Sequence, residues 1–290
     1  MAGENMKDLS TQQKIWVYTA CFLRALSPLF LYALLPSIFM AVGYVFGHSD
    51  MTLEEFFSYG ANFYSALGIF TALFIFHRRS KKRGSTLTED ATLYFKEMKV
   101  LKAAGFFVFG FASATAVSAL ITLLPKFFLT ESYHVSVSRM YLGRDFLLTL
   151  FTILFTAPVT EEIIFRGYML NTLLEKLPEH IAIIATSIIF ALLHGSPIWM
   201  LYAFLLGQIL AKTSMKEDNI AYGVLLHIGF NSTSIINLFI TESETLNRAL
   251  FGSKALIALY GVVGLLVSVV LAGLYTGRIE RRIRINEGMV

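Results

Sequence analysis

Residues 146–160, FLLTLFTILFTAPVT, lead into Glu161-Glu162-Ile163-Ile164-Phe165-Arg166-Gly167, so two carboxylates and a guanidinium stand within a stretch apolar enough to enter a bilayer. Each charged side chain at bilayer depth costs roughly 2.5–3.5 kcal/mol on insertion scales. Three together are tolerated where they face the interior of a helix bundle or a water-filled cavity. The stretch therefore predicts a membrane helix with a polar site built into it.

The composition of the whole chain agrees with a membrane protein. Of its 290 residues, 56% are hydrophobic and only 15% are charged, whereas soluble domains carry roughly 25% charged residues. The net charge of +4 does not indicate nucleic acid as a partner, because the basic residues cluster between apolar spans. We find no internal repeat or flexible linker. Residues 1–290 are therefore expected to form a single integral-membrane domain whose partner is the lipid bilayer.

The expected fold class is all-α, a polytopic bundle of about eight transmembrane segments. We place them at about 22–46, 56–76, 101–124, 146–173, 180–195, 198–214, 220–240 and 254–277. The second ends in the basic cluster His77–Arg83, and the last ends in a second cluster with Arg278, Arg281, Arg282 and Arg284. Because basic residues favour the cytoplasmic side, both clusters and both termini are expected there.

Three further features refine this picture. The fifth and sixth segments are short and Gly195-Ser196-Pro197 separates them, so they form either two tight spans or a re-entrant hairpin. Thr86-Leu87-Thr88-Glu89 has capping-box spacing and predicts a surface helix through Lys99 that continues into the third span. Residues 125–144 are expected to form a longer outside loop.

The polar residues of the fourth segment predict a catalytic carboxylate. On an α-helix Glu162 and Arg166 share a face and can pair, while Glu161 points elsewhere and has no partner nearby in sequence. Pro158 is expected to bend the helix one turn upstream. A carboxylate held in low dielectric suits a general base that works near neutral pH.

Two later segments carry polar residues of the same kind. His194 ends the fifth segment four residues after Phe190, and His227 and Asn231 lie one turn apart in the seventh. Of the six histidines, four fall in loops or at the edge of a loop, and only His194 and His227 lie inside apolar spans. Glu161, His194, His227 and Asn231 are expected to converge on one small polar cavity.

These ordered motifs resemble those of the CAAX-protease and bacteriocin-processing family of intramembrane endopeptidases, which includes the type II CAAX prenyl proteases. The family's motifs are two glutamates with an arginine four residues after the second, Phe-x-x-x-His and His-x-x-x-Asn. They stand here as Glu161-Glu162…Arg166, Phe190…His194 and His227…Asn231, within about 145–240. The first three spans carry no motif of the family.

The resemblance implies a glutamate-type intramembrane peptidase. Glu161, with His194, would activate water, and His227 and Asn231 would form the oxyanion hole. Glu162, Arg166 and Phe190 would support the site, and Arg166 is also a candidate for binding a substrate carboxylate. The partner would be a membrane-proximal peptide or a lipidated protein; members of the family cleave prenylated tails, bacteriocin leaders or pheromone-like peptides, and the motifs do not separate these.

Three alternatives stay open. Glutamate and two histidines are suitable ligands for zinc. The sequence has no His-Glu-x-x-His motif, however, and we predict a site that uses neither a metal nor another cofactor. Buried charges also mark proton-coupled transporters, but the first half of the chain has no counterpart to the later motifs. A non-catalytic scaffold, immunity or regulatory protein with the family fold would be expected to lose Glu161 or His194, and both are present.

Overall fold

The computed structural model describes residues 10–59, 61–123 and 146–286, and within these ranges every regular element is helical. The α-helices are α1 (Thr11–Gly47), α2 (Leu53–Tyr59), α3 (Ala61–Lys82), α4 (Leu87–Asp90), α5 (Val100–Leu123), α6 (Phe146–Phe151), α7 (Ala157–Glu162), α8 (Asn171–Leu174), α9 (Glu179–Leu192), α10 (Pro197–Glu217), α11 (Ile220–Glu242), α12 (Glu244–Phe251) and α13 (Lys254–Asn286). The all-α prediction is confirmed for this part of the chain, and the predicted loop at 125–144 lies outside the described residues.

Four of the described helices are long and apolar enough to cross a membrane: α1, α5, α10 and the Lys254–Leu274 portion of α13. Large apolar side chains on them are exposed, among them Phe30, Leu101 and Val269. Soluble proteins rarely expose apolar surface on this scale. These features identify an integral membrane protein, while the count of about eight spans and the re-entrant pair stay predictions.

The described residues divide into two compact units, and organisation as one domain stays a prediction. The first unit takes its residues from Met1–Tyr94, Leu142–Thr149 and Val159–Ile220, and the second from Phe95–Tyr141, Leu150–Pro158 and Ala221–Val290. The core of the first unit is a cluster of buried apolar side chains contributed by several helices, including Ala25, Phe76, Ile164, Phe165, Met169, Leu170, Ile183, Phe190 and Ala211.

Glycines bring two helices of the second unit into backbone contact. A Cβ added to Gly110 on α5 would lie 1.9 Å from the carbonyl oxygen of Leu226 on α11. A Cβ added to Gly229 on α11 would lie 2.1 Å from the carbonyl oxygen of Phe107 on α5. No other residue type fits at such distances, as is common where small residues line membrane helix contacts. These contacts determine where α11 runs.

The fourth predicted segment, 146–173, is not a uniform α-helix. Thr152–Thr156 and Ile163–Leu170 are π-helical, and the α-helical α7 lies between them. The α-helical register expected throughout was therefore wrong for these two stretches. Pro158, where we expected a bend, lies at the second position of α7, two residues after the end of the first π-helical stretch. It has no N–H to donate to the preceding turn.

The predicted surface helix over residues 86–99 is also interrupted. The capping box is present, since the Thr86 hydroxyl accepts from the N–H of Glu89, but α4 ends at Asp90. Thr92 has φ of 53°, outside the helical region. The side-chain amide of Asn219 bonds both the N–H and the carbonyl of Tyr94, at 3.0 and 2.9 Å. This pairing anchors the backbone at Tyr94, and a single 3-10 turn, Phe95–Glu97, follows before α5 begins at Val100. The α-helix predicted from local sequence is therefore interrupted where a distant residue binds the backbone.

The break between the fifth and sixth segments is confirmed, and so is the short fifth segment, but the sixth is longer than expected. Helix α9 has 14 residues and spans about 21 Å at 1.5 Å per residue, less than a full membrane crossing. Helix α10 has 21 residues, so the sixth segment is not short. Gly195 adopts φ of 66° between them, and the Ser196 hydroxyl caps α10 by accepting from the N–H of Trp199.

Candidate active site

Glu162 and Arg166 form the ion pair that their spacing predicted. Nη1 of Arg166 donates to Oε1 of Glu162 at 2.9 Å, and the two side chains are almost completely buried, at 1% exposure for Arg166 and 0% for Glu162. The π-helical turn that begins at Ile163 keeps the two residues on one face. Because both ions are buried, removing either one would leave the other with much less charge compensation.

The guanidinium of Arg166 also links this helix to two others in the first unit. Nη2 donates to the carbonyl oxygen of Gly207 on α10 at 3.0 Å. The carbon of the guanidinium lies 4.7 Å from the centre of the Phe190 ring on α9, within cation–π range. The burial of Arg166 in these contacts supports an architectural role over the binding of a substrate carboxylate.

Gly207 lies where α9 and α10 come close together. A Cβ at this position would be 3.1 Å from the Cβ of Ser187 on α9, a contact tighter than ordinary packing. The missing side chain lets the two helices approach, and the Gly207 carbonyl meets Arg166 at this crossing. This glycine was not identified from the sequence; its spacing carries no motif.

Phe190 and His194 contact each other directly. The His194 ring lies 4.8 Å from the Phe190 ring, centre to centre, and 5.8 Å from that of Trp199. Nδ1 of His194 lies 2.8 Å from the carbonyl oxygen of Phe190. A carbonyl oxygen only accepts, so Nδ1 carries the proton and Nε2 is the basic nitrogen of the neutral ring. This tautomer is the one that accepts a proton at Nε2.

Glu161 has a partner that the sequence did not suggest. The phenolic O–H of Tyr32, on α1, donates to Oε1 of Glu161 at 3.3 Å. This tyrosine is 129 residues away from Glu161 in the chain. The charge of Glu161 also acts on Arg166, although Glu162 is the larger electrostatic partner of that guanidinium. A lone tyrosine in an apolar span, one of 13 in the sequence, offered no signal.

His227 and Asn231 lie in the second unit on α11. His227 is buried, with 3% of its surface exposed. Nδ2 of Asn231 donates to the carbonyl oxygen of Ile153 at 2.9 Å. The contacts of Gly110 and Gly229 with the neighbouring backbones hold this stretch of α11 against α5.

The predicted site residues thus fall into two sets. The first unit holds Glu161, Glu162, Arg166, Phe190 and His194, and the second holds His227 and Asn231. Convergence of the two sets on one cavity stays a prediction. Among the described residues, no three His, Cys, Asp or Glu side chains stand in an arrangement that would hold a metal ion; the expectation of a site without a metal or other cofactor stays a prediction.

Comparison with known proteins agrees with the resemblance noted from the motifs. Residues 143–233 match the family model described as type II CAAX prenyl endopeptidase Rce1-like. All the predicted site residues lie within the matched segment, which confirms the family resemblance. No curated protein and no solved structure matches the chain.

Proposed function

We propose that this chain, which carries an Rce1-like type II CAAX prenyl endopeptidase region over residues 143–233, is an intramembrane endopeptidase of the glutamate type. Its substrate is a membrane-proximal peptide or a lipidated protein, and the bond hydrolysed lies close to the bilayer. The observation that carries the proposal is the state of His194, whose Nδ1 donates to the Phe190 carbonyl and whose Nε2 is therefore the basic nitrogen of the ring.

In the proposed reaction, Glu161 acts with Nε2 of His194 as the base. Together they accept one proton from water as the water oxygen bonds to the scissile carbonyl carbon. The carbonyl oxygen becomes an oxyanion, which His227 and Asn231 stabilise by hydrogen bonding. Collapse of the tetrahedral intermediate breaks the C–N bond, and the proton passes to the leaving amine. Glu162 and Arg166 hold the helix that carries Glu161.

The test is cleavage of a membrane-proximal peptide by purified protein in lipid nanodiscs. Glu161→Gln keeps the shape of the side chain and removes the base, so cleavage should fall by about 100-fold or more. Glu179→Gln is the matched control, because Glu179 is an exposed glutamate in the first turn of α9. Wild-type cleavage by Glu161→Gln would refute the glutamate mechanism. Loss of cleavage with a chelator, restored by zinc, would favour the metal-dependent variant instead.

The proposed orientation places both termini in the cytoplasm. It is supported by the basic residues at the end of α3, Arg78, Arg79, Lys81 and Lys82, which are all exposed. Reporter domains fused after Arg83 and after Arg284 should both be cytoplasmic. An extracytoplasmic signal from either fusion would overturn this orientation.

A further inference from the structure

The carbonyl of Ile153 lies where the helix changes its hydrogen-bonding register. In the π-helical stretch Thr152–Thr156, the N–H of Ala157 donates to the carbonyl of Thr152, five residues back. An α-helical register would have sent that N–H to Ile153 instead. The next π-type donor for Ile153 would be residue 158, which is a proline and has no N–H.

This carbonyl therefore needs a donor from outside its own helix. Ile153 is buried, with 8% of its surface exposed, and a buried backbone carbonyl without a hydrogen bond is costly, most of all at membrane depth. Asn231 supplies the donor: its Nδ2 lies 2.9 Å from the Ile153 oxygen. The side-chain amide has two N–H groups, so one remains for another acceptor.

We propose that Asn231 is a positioning residue that replaces the backbone donor removed by Pro158. It thereby holds the π-to-α change of register at Ala157, four residues before Glu161 in the chain. The sequence explains the pairing of residue types. A proline at 158 creates the need for a donor, and a short amide on the neighbouring helix meets it with fixed geometry. The oxyanion role then falls to the remaining N–H of Asn231. That role rests on the proposed function, whereas the positioning role does not.

The test is a double-mutant cycle on thermal stability in nanodiscs, with Asn231→Ala and Pro158→Ala singly and together. Asn231→Ala should lower Tm by about 3 °C or more, the order of shift for one lost hydrogen bond in a chain of this size. The Pro158→Ala background restores a backbone N–H, so Asn231→Ala should lower Tm much less there than in the wild-type background. Such recovery supports the proposal, and an equal loss of Tm in both backgrounds overturns it.

Asn237→Ala is the matched control, because Asn237 lies on the same helix and donates to the hydroxyl of Ser118 at 2.8 Å. Its effect on Tm should be the same in the wild-type and Pro158→Ala backgrounds. If Asn231→Ala yields no folded protein, the readout is folded yield: recovery in the double variant supports the proposal, and no recovery overturns it.

Cleavage measured on the same variants keeps this proposal separate from the proposed function. The double variant should regain stability and still cleave slowly, since the oxyanion donor is missing. If the double variant regains both stability and wild-type cleavage, Asn231 acts only as a positioning residue and not as an oxyanion donor. If wild-type protein cleaves no peptide, the proposed function fails while the stability cycle still decides the role of Asn231.

Discussion

Arg166 donates to Glu162 on its own helix and to the carbonyl of Gly207 on α10, at 2.9 and 3.0 Å. One buried cation thus joins two helices while its charge is compensated by a carboxylate one turn away. Phe190 packs against the same guanidinium and His194 packs against Phe190. These contacts connect Glu162, through Arg166 and Phe190, to His194. Residues from two separate motifs of the sequence therefore form one connected set in the first unit.

Breaking this ion pair should destabilise the protein. Glu162→Gln removes the carboxylate that is hydrogen-bonded to the buried guanidinium and is its largest counter-charge, so the free energy of unfolding should fall by about 3–5 kcal/mol. The matched control is Glu244→Gln, because Glu244 pairs with Arg248 at the same spacing but the two side chains are 87% and 80% exposed. An exposed pair contributes about 0–1 kcal/mol. Equal melting temperatures for Glu162→Gln and wild type would contradict the architectural role.

The packing of α5 against α11 should fail when a methyl group is added at the contact. Gly110→Ala places a Cβ against the backbone oxygen of Leu226, and such overpacking costs typically about 1–3 kcal/mol. Gly105→Ala is the control on the same helix, since a Cβ there meets nothing within 4 Å. Thermal unfolding should show a lower Tm for the first variant alone. An equal fall in Tm for Gly105→Ala would mean that the alanine destabilises α5 itself and not its contact with α11.

Periodicity predicts what lies one turn apart, and it does so well here. The Glu162–Arg166 pair and the break before Pro197 follow from local spacing and local backbone chemistry. Three features have no local cause: the Tyr32–Glu161 hydrogen bond, the Asn219 amide on Tyr94, and the Asn231 amide on Ile153. Each joins residues that are far apart in the chain, so each depends on how the helices pack. The spacing of residues in a single sequence does not predict that packing.

Asp90 should make stability depend on acidity. Burial raises the pKa of Asp90, but hydrogen bonds from Ser80, Ser85 and Arg83 outweigh it and hold that pKa below its usual value. Ionised Asp90 therefore stabilises the folded protein at pH values above its unfolded pKa of about 3.9. This stabilisation is lost as the pH falls through the lower pKa that Asp90 has in the folded protein. Asp90→Asn should lower Tm at pH 7, and the difference from wild type should vanish in acid. A pH-independent difference would contradict a charge-based role.

Tyr32→Phe should slow cleavage without weakening substrate binding. The change removes only the hydroxyl that donates to Glu161, and hydrogen bonds to charged groups contribute about 1.5–3 kcal/mol, so kcat should fall by about tenfold or more while KM stays near wild type. Tyr18→Phe on the same helix is the control, because Tyr18 is 40% exposed. In a Glu161→Gln background, Tyr32→Phe should cause no further loss. A second, additive loss there would show that Tyr32 acts on the reaction through something other than Glu161.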